Sequence, residues 1–265
     1  MTNNIELTST EGKSYTLSIP SSQLRFPSGF VFAFAKSGST LLDRLVRDYC
    51  KELSVPSFSL FGAAFNLGIN PAQIAEDAKS VFSEEGVIYT GFRHYPKHFD
   101  LDLNNANCIW LTRDPRDMLV SLYFSIAKSH AVKKGDTARL QERESVNAMD
   151  IDSFVLSRAK SYMNNFNAYK SKLPKSATKV IRYEDVIYDK PDLLTSVAEH
   201  FGLPINDTLI AKVAQKHDLI PDTEQTTNHV RQVHPGNYKA KLSQDTISKL
   251  NIDLECFLNF FNYQT

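Results

Sequence analysis

Apolar and polar positions change period along the chain, and each change marks an element. From Ile5 to Ser9 and from Tyr15 to Ile19 the two kinds alternate, with Glu11-Gly12 between them. That pattern predicts an N-terminal β-hairpin. Pro20 and Pro27 bracket a linker. The run GFVFAFA is almost wholly apolar, as expected of a strand buried in a parallel sheet. After the small-residue stretch AKSGST, Leu41, Leu42, Leu45, Val46 and Tyr49 recur at helical spacing. Three further apolar runs read as strands: VIYT from Val87, NCIWLT from Asn107, and TKVIRYE. Helical patterns follow the last two, MLVSLYFSIAK with Pro115 in its first turn and PDLLTSVAEHFGLP ending at Gly202. Another helix runs from Ile151 to about Tyr169, and two short helices close the chain. The polar stretch from Ser129 to Asp150 reads as a mobile loop or frayed helix, and Leu219 to Lys241 has no period. Strands alternating with helices predict an α/β fold, a single domain over 1–265. Its central parallel β-sheet is flanked by helices on both faces, with a P-loop-like turn after the first core strand and the hairpin in front.

Composition narrows the function. Apolar residues make up 42% of the 265, enough for a sizeable core. Lys+Arg and Asp+Glu balance at 30 each, which argues against broad nucleic-acid or membrane-surface binding but not against one local basic pocket. The first residues, MTNNIELTST, show no basic segment leading into an apolar one, so no signal peptide is expected. No apolar run approaches the ~20 residues a membrane-spanning helix needs. Cys50, Cys108 and Cys256 lie far apart with no CxxC or Cys/His cluster, so no metal site is expected. They read as buried free thiols in a reducing compartment, the cytoplasm. Asn206-Asp207-Thr208 fits the glycosylation acceptor pattern and is read instead as a helix start.

Two segments carry candidate chemistry. In AKSGST a loop of small residues joins a buried strand to a helix, so backbone N–H groups and the helix N-terminus can converge on an anion. Lys36 adds a full charge, and Ser37, Ser39 and Thr40 add hydroxyls. The nucleotide triphosphatase pattern GxxxxGK[ST] is absent, because Lys36 precedes the only glycine, Gly38. The alternative is a plain strand-to-helix turn capped by Ser39. In CIWLTRDPRDMLVSLYFS, Arg113 ends an apolar strand and Ser121 lies two turns into the next helix, placed to share one ligand. The alternative there is a set of surface ion pairs among Arg113, Asp114, Arg116 and Asp117.

Together the two segments resemble the nucleotide signatures of the sulfotransferase family that uses 3′-phosphoadenosine 5′-phosphosulfate (PAPS). The family's PKSGTTW stands here as AKSGSTL, and its RNPRDVLVSYY as RDPRDMLVSLY. VIRYEDV resembles the strand end that brings a tyrosine, here Tyr183, near adenine. NHVRQVHPGNYKAKLS resembles the late loop HxRKGxxGDWK, whose arginine corresponds to Arg231. GFRHYP resembles the segment with KTHLP, which makes His94 the candidate base while Phe92 takes the place of the family lysine. The resemblance runs from about Phe30 to Ser243 and leaves 1–27 outside.

What it implies is transfer of the sulfuryl group from PAPS to an acceptor hydroxyl or amine, leaving adenosine 3′,5′-bisphosphate (PAP). Lys36 and His94 would be catalytic. Lys36, Ser37, Gly38, Ser39 and Thr40 would hold the 5′-phosphosulfate; Arg113, Ser121 and Arg231 the 3′-phosphate; Leu41 and Tyr183 the base. Leu41 stands where the family has an adenine-stacking tryptophan, and Gln232-Val233 where it has Lys-Gly. The acceptor is a small molecule, glycan or lipid. The competing readings are a P-loop-like nucleotide kinase and a catalytically silent nucleotide-binding scaffold.

Overall fold

The computed structural model describes residues 2–129, 137–219 and 232–265. In chain order, β1 (Thr2–Thr8) and β2 (Ser14–Pro20) precede β3 (Gly29–Ala33), α1 (Ser39–Glu52), β4 (Ser57–Phe58) and α2 (Leu60–Asn66). Two 3₁₀ turns lead to β5 (Ile88–Phe92), β6 (Asn107–Thr112), α3 (Pro115–Phe124), α4 (Thr137–Asn147) and α5 (Ile151–Lys172). Then come β7 (Thr178–Arg182), α6 (Tyr183–Val186), α7 (Lys190–Phe201), α8 (Asp207–Lys216), α9 (Tyr238–Lys241), α10 (Gln244–Asp253) and α11 (Glu255–Phe260).

The core sheet has the order β4-β5-β3-β6-β7, and every pairing in it is parallel. Side chains of β3 and the residue after it alternate between two apolar layers. Phe30, Phe32 and Phe34 join an aromatic layer with Trp110, Phe166, Tyr169 and Phe257. Val31 and Ala33 face Leu45 and Val46 of α1 and Val197 and Phe201 of α7. A strand with both faces covered must be apolar at every position, which is why GFVFAFA shows no alternation. The sheet with helices on both faces is therefore as expected.

The hairpin is antiparallel, with Ile5 opposite Leu17 and the turn passing Gly12 at φ 79°. Leu7, Tyr15, Leu17 and Ile19 are buried in the same aromatic layer as the sheet. The Thr8 N–H donates to Asp77 at 2.8 Å, fixing the hairpin to the chain ahead of β5.

Several local expectations need correction. Of the two readings of the polar stretch before Asp150, the helical one holds over α4, where Val146 is buried. Tyr183 opens α6 rather than ending a strand. Cys50 and Cys108 are buried, and their thiols are pushed up to about 12 by burial; Cys256, however, is exposed. Its helix turns Phe257 and Leu258 inward and leaves residue 256 outside. Asn206 does start a helix, its side chain accepting the Leu209 N–H at 3.0 Å.

Candidate active site

The chain winds from β3 to one side through β4 and β5 and to the other through β6 and β7. β3 thus lies at the switch in strand order, where open α/β sheets form a crevice beyond their C-terminal ends. The turn after β3 is tight. Lys36 takes φ 70° and Gly38 φ 91°, both in the left-handed region. A Cβ on Gly38 would lie 2.7 Å from the Tyr183 ring, so glycine is required there both by conformation and by space. Gly38, not Ser39, is the cap residue of α1, and no side chain caps that helix. Gly38, Ser39 and Thr40 line the cleft, which brings the positive end of α1 to its wall. Ser37 points the other way. It is fully buried, and its hydroxyl donates to the Phe34 carbonyl at 2.8 Å.

The cleft holds about 240 Å³. Its wall carries four cationic side chains, Lys36, Arg44, Arg93 and Arg113, and no carboxylate among the described residues. Lys36 Nζ donates to Ser125 Oγ at 3.0 Å. Ser125 opens a π-helical turn, Ser125–Ser129, that continues α3, an irregularity found disproportionately at functional sites.

Arg113 lies in a buried network. Arg113, Asp114, Arg116 and Asp117 are between 1% and 8% exposed, so these are not surface ion pairs. The Arg113 guanidinium stacks over Tyr183, 4.5 Å from the ring centroid, and lies 3.5 Å from Asp117 Oδ2. Its Nε is buried without a hydrogen-bond partner among the described residues. Tyr183 donates its hydroxyl to the Val233 carbonyl at 2.8 Å, and burial pushes that phenol up to about 12. Asp114 takes the Arg116 guanidinium through two bonds of 2.9 and 2.7 Å. Glu184 accepts the Asp114 N–H at 2.8 Å and the Tyr263 hydroxyl at 2.9 Å, and burial raises its pKa. Ser121 lines the cleft beside Arg113, as do Leu41 and Tyr183.

The end of β5 is built differently. One face of α5 fixes backbone rather than side chains. Tyr162 donates to the Ala35 carbonyl (2.9 Å), Asn165 to the Arg93 carbonyl (3.0 Å), and Tyr169 to the Ala33 carbonyl (3.2 Å). Arg93 reaches the cleft and donates to Thr40 Oγ1 at 3.0 Å. His94, the next residue, is exposed and stands outside the cleft wall. Surrounding protein crowds its ring even though part is open to solvent. That crowding, with the charges of Lys97 and Arg93, holds its pKa below the usual 6.5.

The structure thus brings Lys36, Gly38, Ser39, Thr40, Leu41, Arg113, Ser121 and Tyr183 to one cleft. It keeps the Ser37 side chain out, and Arg231 lies outside the described residues. Sequence reasoning missed Arg93, Ser125 and the apolar wall of Ile187 and Leu219. For Arg93 a signal existed. The family lysine position holds Phe92, which is 1% exposed and packed in the core, and the next residue is a cation.

A parallel α/β sheet with a cation-lined crevice at its switch point defines a protein suited to a small polyanion. Residues 27–243 match the Sulfotransferase domain family, and the chain belongs to it. The fold is similar to that of mouse sulfotransferase SULT7A1 complexed with PAP. There the TM-score is 0.57 at 12% identity, over 88% of this chain and 85% of that one. It is also similar to retinol dehydratase in complex with androsterone and the inactive cofactor PAP. In that case the TM-score is 0.55 at 14% identity, over 97% and 90% of the two chains. No curated protein sequence matches the chain.

Proposed function

We propose that this sulfotransferase uses PAPS as donor and passes its sulfuryl group to an acceptor hydroxyl or amine. The observation that carries the reading is the Arg113 guanidinium. It is 5% exposed and, among the described residues, has no partner on Nε and lines a cleft with three other cations and no carboxylate. A buried cation with unused donors fits a bound anion. The donor's 3′-phosphate and 5′-phosphosulfate are two anionic ends, and Arg113, Lys36 and the start of α1 all line the one cleft. The glycine-dependent turn at Gly38 lets backbone approach the second end closely.

Each residue then has a task. Arg113, Ser121 and Arg231 hold the 3′-phosphate. Gly38, Ser39 and Thr40 hold the 5′-phosphosulfate, and Ser37 shapes their turn through its bond to Phe34. Leu41 and Tyr183 border the base, with Ile187 and Leu219 completing an apolar wall in place of a stacking tryptophan. The donor supplies an already activated sulfuryl group. Lys36 places positive charge where the leaving phosphate gains negative charge. His94 takes the proton the acceptor loses, and its depressed pKa keeps it neutral and able to do so at neutral pH. Leu122 and Phe124 line the cleft near Ser125, which suits a small-molecule acceptor with an apolar body. Three unpaired cysteines suit a reducing compartment such as the cytoplasm.

Calorimetry with PAP, adenosine 5′-phosphate and ATP tests the donor. PAP should bind far more tightly than either other nucleotide. ATP binding as tight as PAP would favour the kinase reading and remove this one. Labelled PAPS with a panel of alcohols, phenols and amines then identifies the acceptor class.

A further inference from the structure

Asp117 sits in the first turn of α3, four residues after Arg113, and is 1% exposed. A buried carboxylate is costly unless its oxygens are satisfied. Here Oδ2 accepts the Gly236 N–H at 2.7 Å and Oδ1 accepts the Tyr238 N–H at 2.8 Å. Arg113 Nη2 also lies 3.5 Å from Oδ2. One side chain thus touches both the arginine of the nucleotide cleft and a segment 119 residues further along the chain. Two more ties run in parallel. Tyr183, stacked under Arg113, bonds the Val233 carbonyl, and the Arg116 guanidinium lies 4.3 Å from the centre of the Tyr238 ring. Gln232 and Val233 of the same segment line the cleft.

We infer that Asp117 is a positioning residue for recognition of the donor's 3′-phosphate. It holds Arg113 in place from one side and fixes the 232–238 segment against it from the other. The arginine and the cleft wall are thereby assembled before any nucleotide arrives. The inference rests on the proposed reading of Arg113 as a 3′-phosphate contact. The chemistry suits an aspartate: a carboxylate can accept two N–H groups at once and still leave net attraction for a guanidinium. At 3.5 Å the arginine is steadied without a short bond that would use up the donors meant for a ligand. An asparagine of the same size can accept only one of the two N–H groups, and it turns its own NH₂ toward the other.

The test is selectivity, measured by calorimetry as the ratio of affinities for PAP over adenosine 5′-phosphate. Asp117→Asn should lower that ratio about tenfold or more, with adenosine 5′-phosphate affinity nearly unchanged. With PAPS the loss should fall on KM while kcat at saturation stays near the wild-type value. Gly236→Ala probes the tie from its other end. Gly236 has φ 83° with open space around its α-carbon, so alanine strains the backbone there without a clash. It should lower the same ratio, and it decides the matter if Asp117→Asn does not fold. An unchanged ratio in the folded variants would overturn the inference, as would equal weakening of both nucleotides, the signature of a merely structural role. A wild-type protein with no preference for PAP would instead remove the 3′-phosphate reading of Arg113, and the inference with it.

Discussion

The Arg113 side of the cleft and the segment around His94 beside it are held by opposite strategies. Around Arg113 the side chains themselves are fixed, each buried and tied through Asp114, Asp117, Tyr183 and Glu184 to distant parts of the chain. Around His94 the backbone is fixed, by Asn165 and Tyr169 of α5, while His94 and Arg93 stay exposed. Fixing side chains during folding removes the ordering cost from ligand binding, which suits an invariant nucleotide. Leaving side chains exposed on a fixed backbone suits a site that must admit an acceptor and then align with it. The difference also separates two kinds of fragility. Substitutions near Arg113 threaten both stability and affinity, because they leave buried partners unpaired. Substitution of His94 itself should fall on rate rather than on stability.

The largest effect that tests this contrast is in the exposed segment. His94→Ala should lower kcat by roughly 10²–10⁴ with a weakly acidic alcohol, the usual range for lost general-base catalysis. Thermal stability and PAP affinity should stay near wild type, since His94 is exposed and is not among the residues lining the cleft. Wild-type turnover in this variant would move the base elsewhere. Lys36→Ala comes next, with a loss of about 10²–10³ in kcat if the lysine acts on developing charge. A raised KM at unchanged kcat would make it a ground-state contact instead. In the buried region, Arg113→Lys keeps the charge beside Asp117 and so should leave the protein folded. It loses the planar fork, and PAP should bind about tenfold more weakly by calorimetry, with adenosine 5′-phosphate little affected. Equal loss for both nucleotides would dissolve the distinction between the two regions.

The same contrast explains what the sequence made legible. The central strand β3 announces itself because burial on both faces leaves no room for polar residues from Phe30 to Phe34. β4 is only two residues long, too short to show any period. The anion-binding turn and Arg113 with Ser121 are local signals, since helix and strand geometry set their spacing. Asp117 is also visible in RDPRD, but its partners at Gly236 and Tyr238 are brought to it only by the tertiary fold. Ser125 needed the Lys36 contact across 89 positions to acquire meaning. Tyr162, Asn165 and Tyr169 read as an ordinary helix face, although each holds a carbonyl at a strand end. Local motifs mark where a ligand sits; the long-range contacts that steady them have no sequence period.

The finest test concerns pH and the one cation that spans both strategies. Arg93 touches Thr40 of the anion-binding turn and adjoins His94. Crowding by protein depresses the His94 pKa first, and the positive charges of Lys97 and Arg93 depress it further, because each disfavours a second cation nearby. A base must be neutral to act, so kcat/KM should rise with pH through the His94 pKa and level off above it. With that pKa below 6.5, the plateau is reached at lower pH than for an unperturbed histidine. Arg93→Ala removes one of the two charges, so the pKa must rise and the acidic limb must move to higher pH. Lys97→Ala should move it the same way, although Lys97 lies outside the cleft wall. The shape of the normalised profile is the readout, since loss of the Thr40 contact also changes the absolute rate. A limb that stays in place in both variants would mean that the titrating group is not His94. A limb that moves only with Arg93 would mean that the base lies in the cleft itself, nearer Thr40 than Lys97.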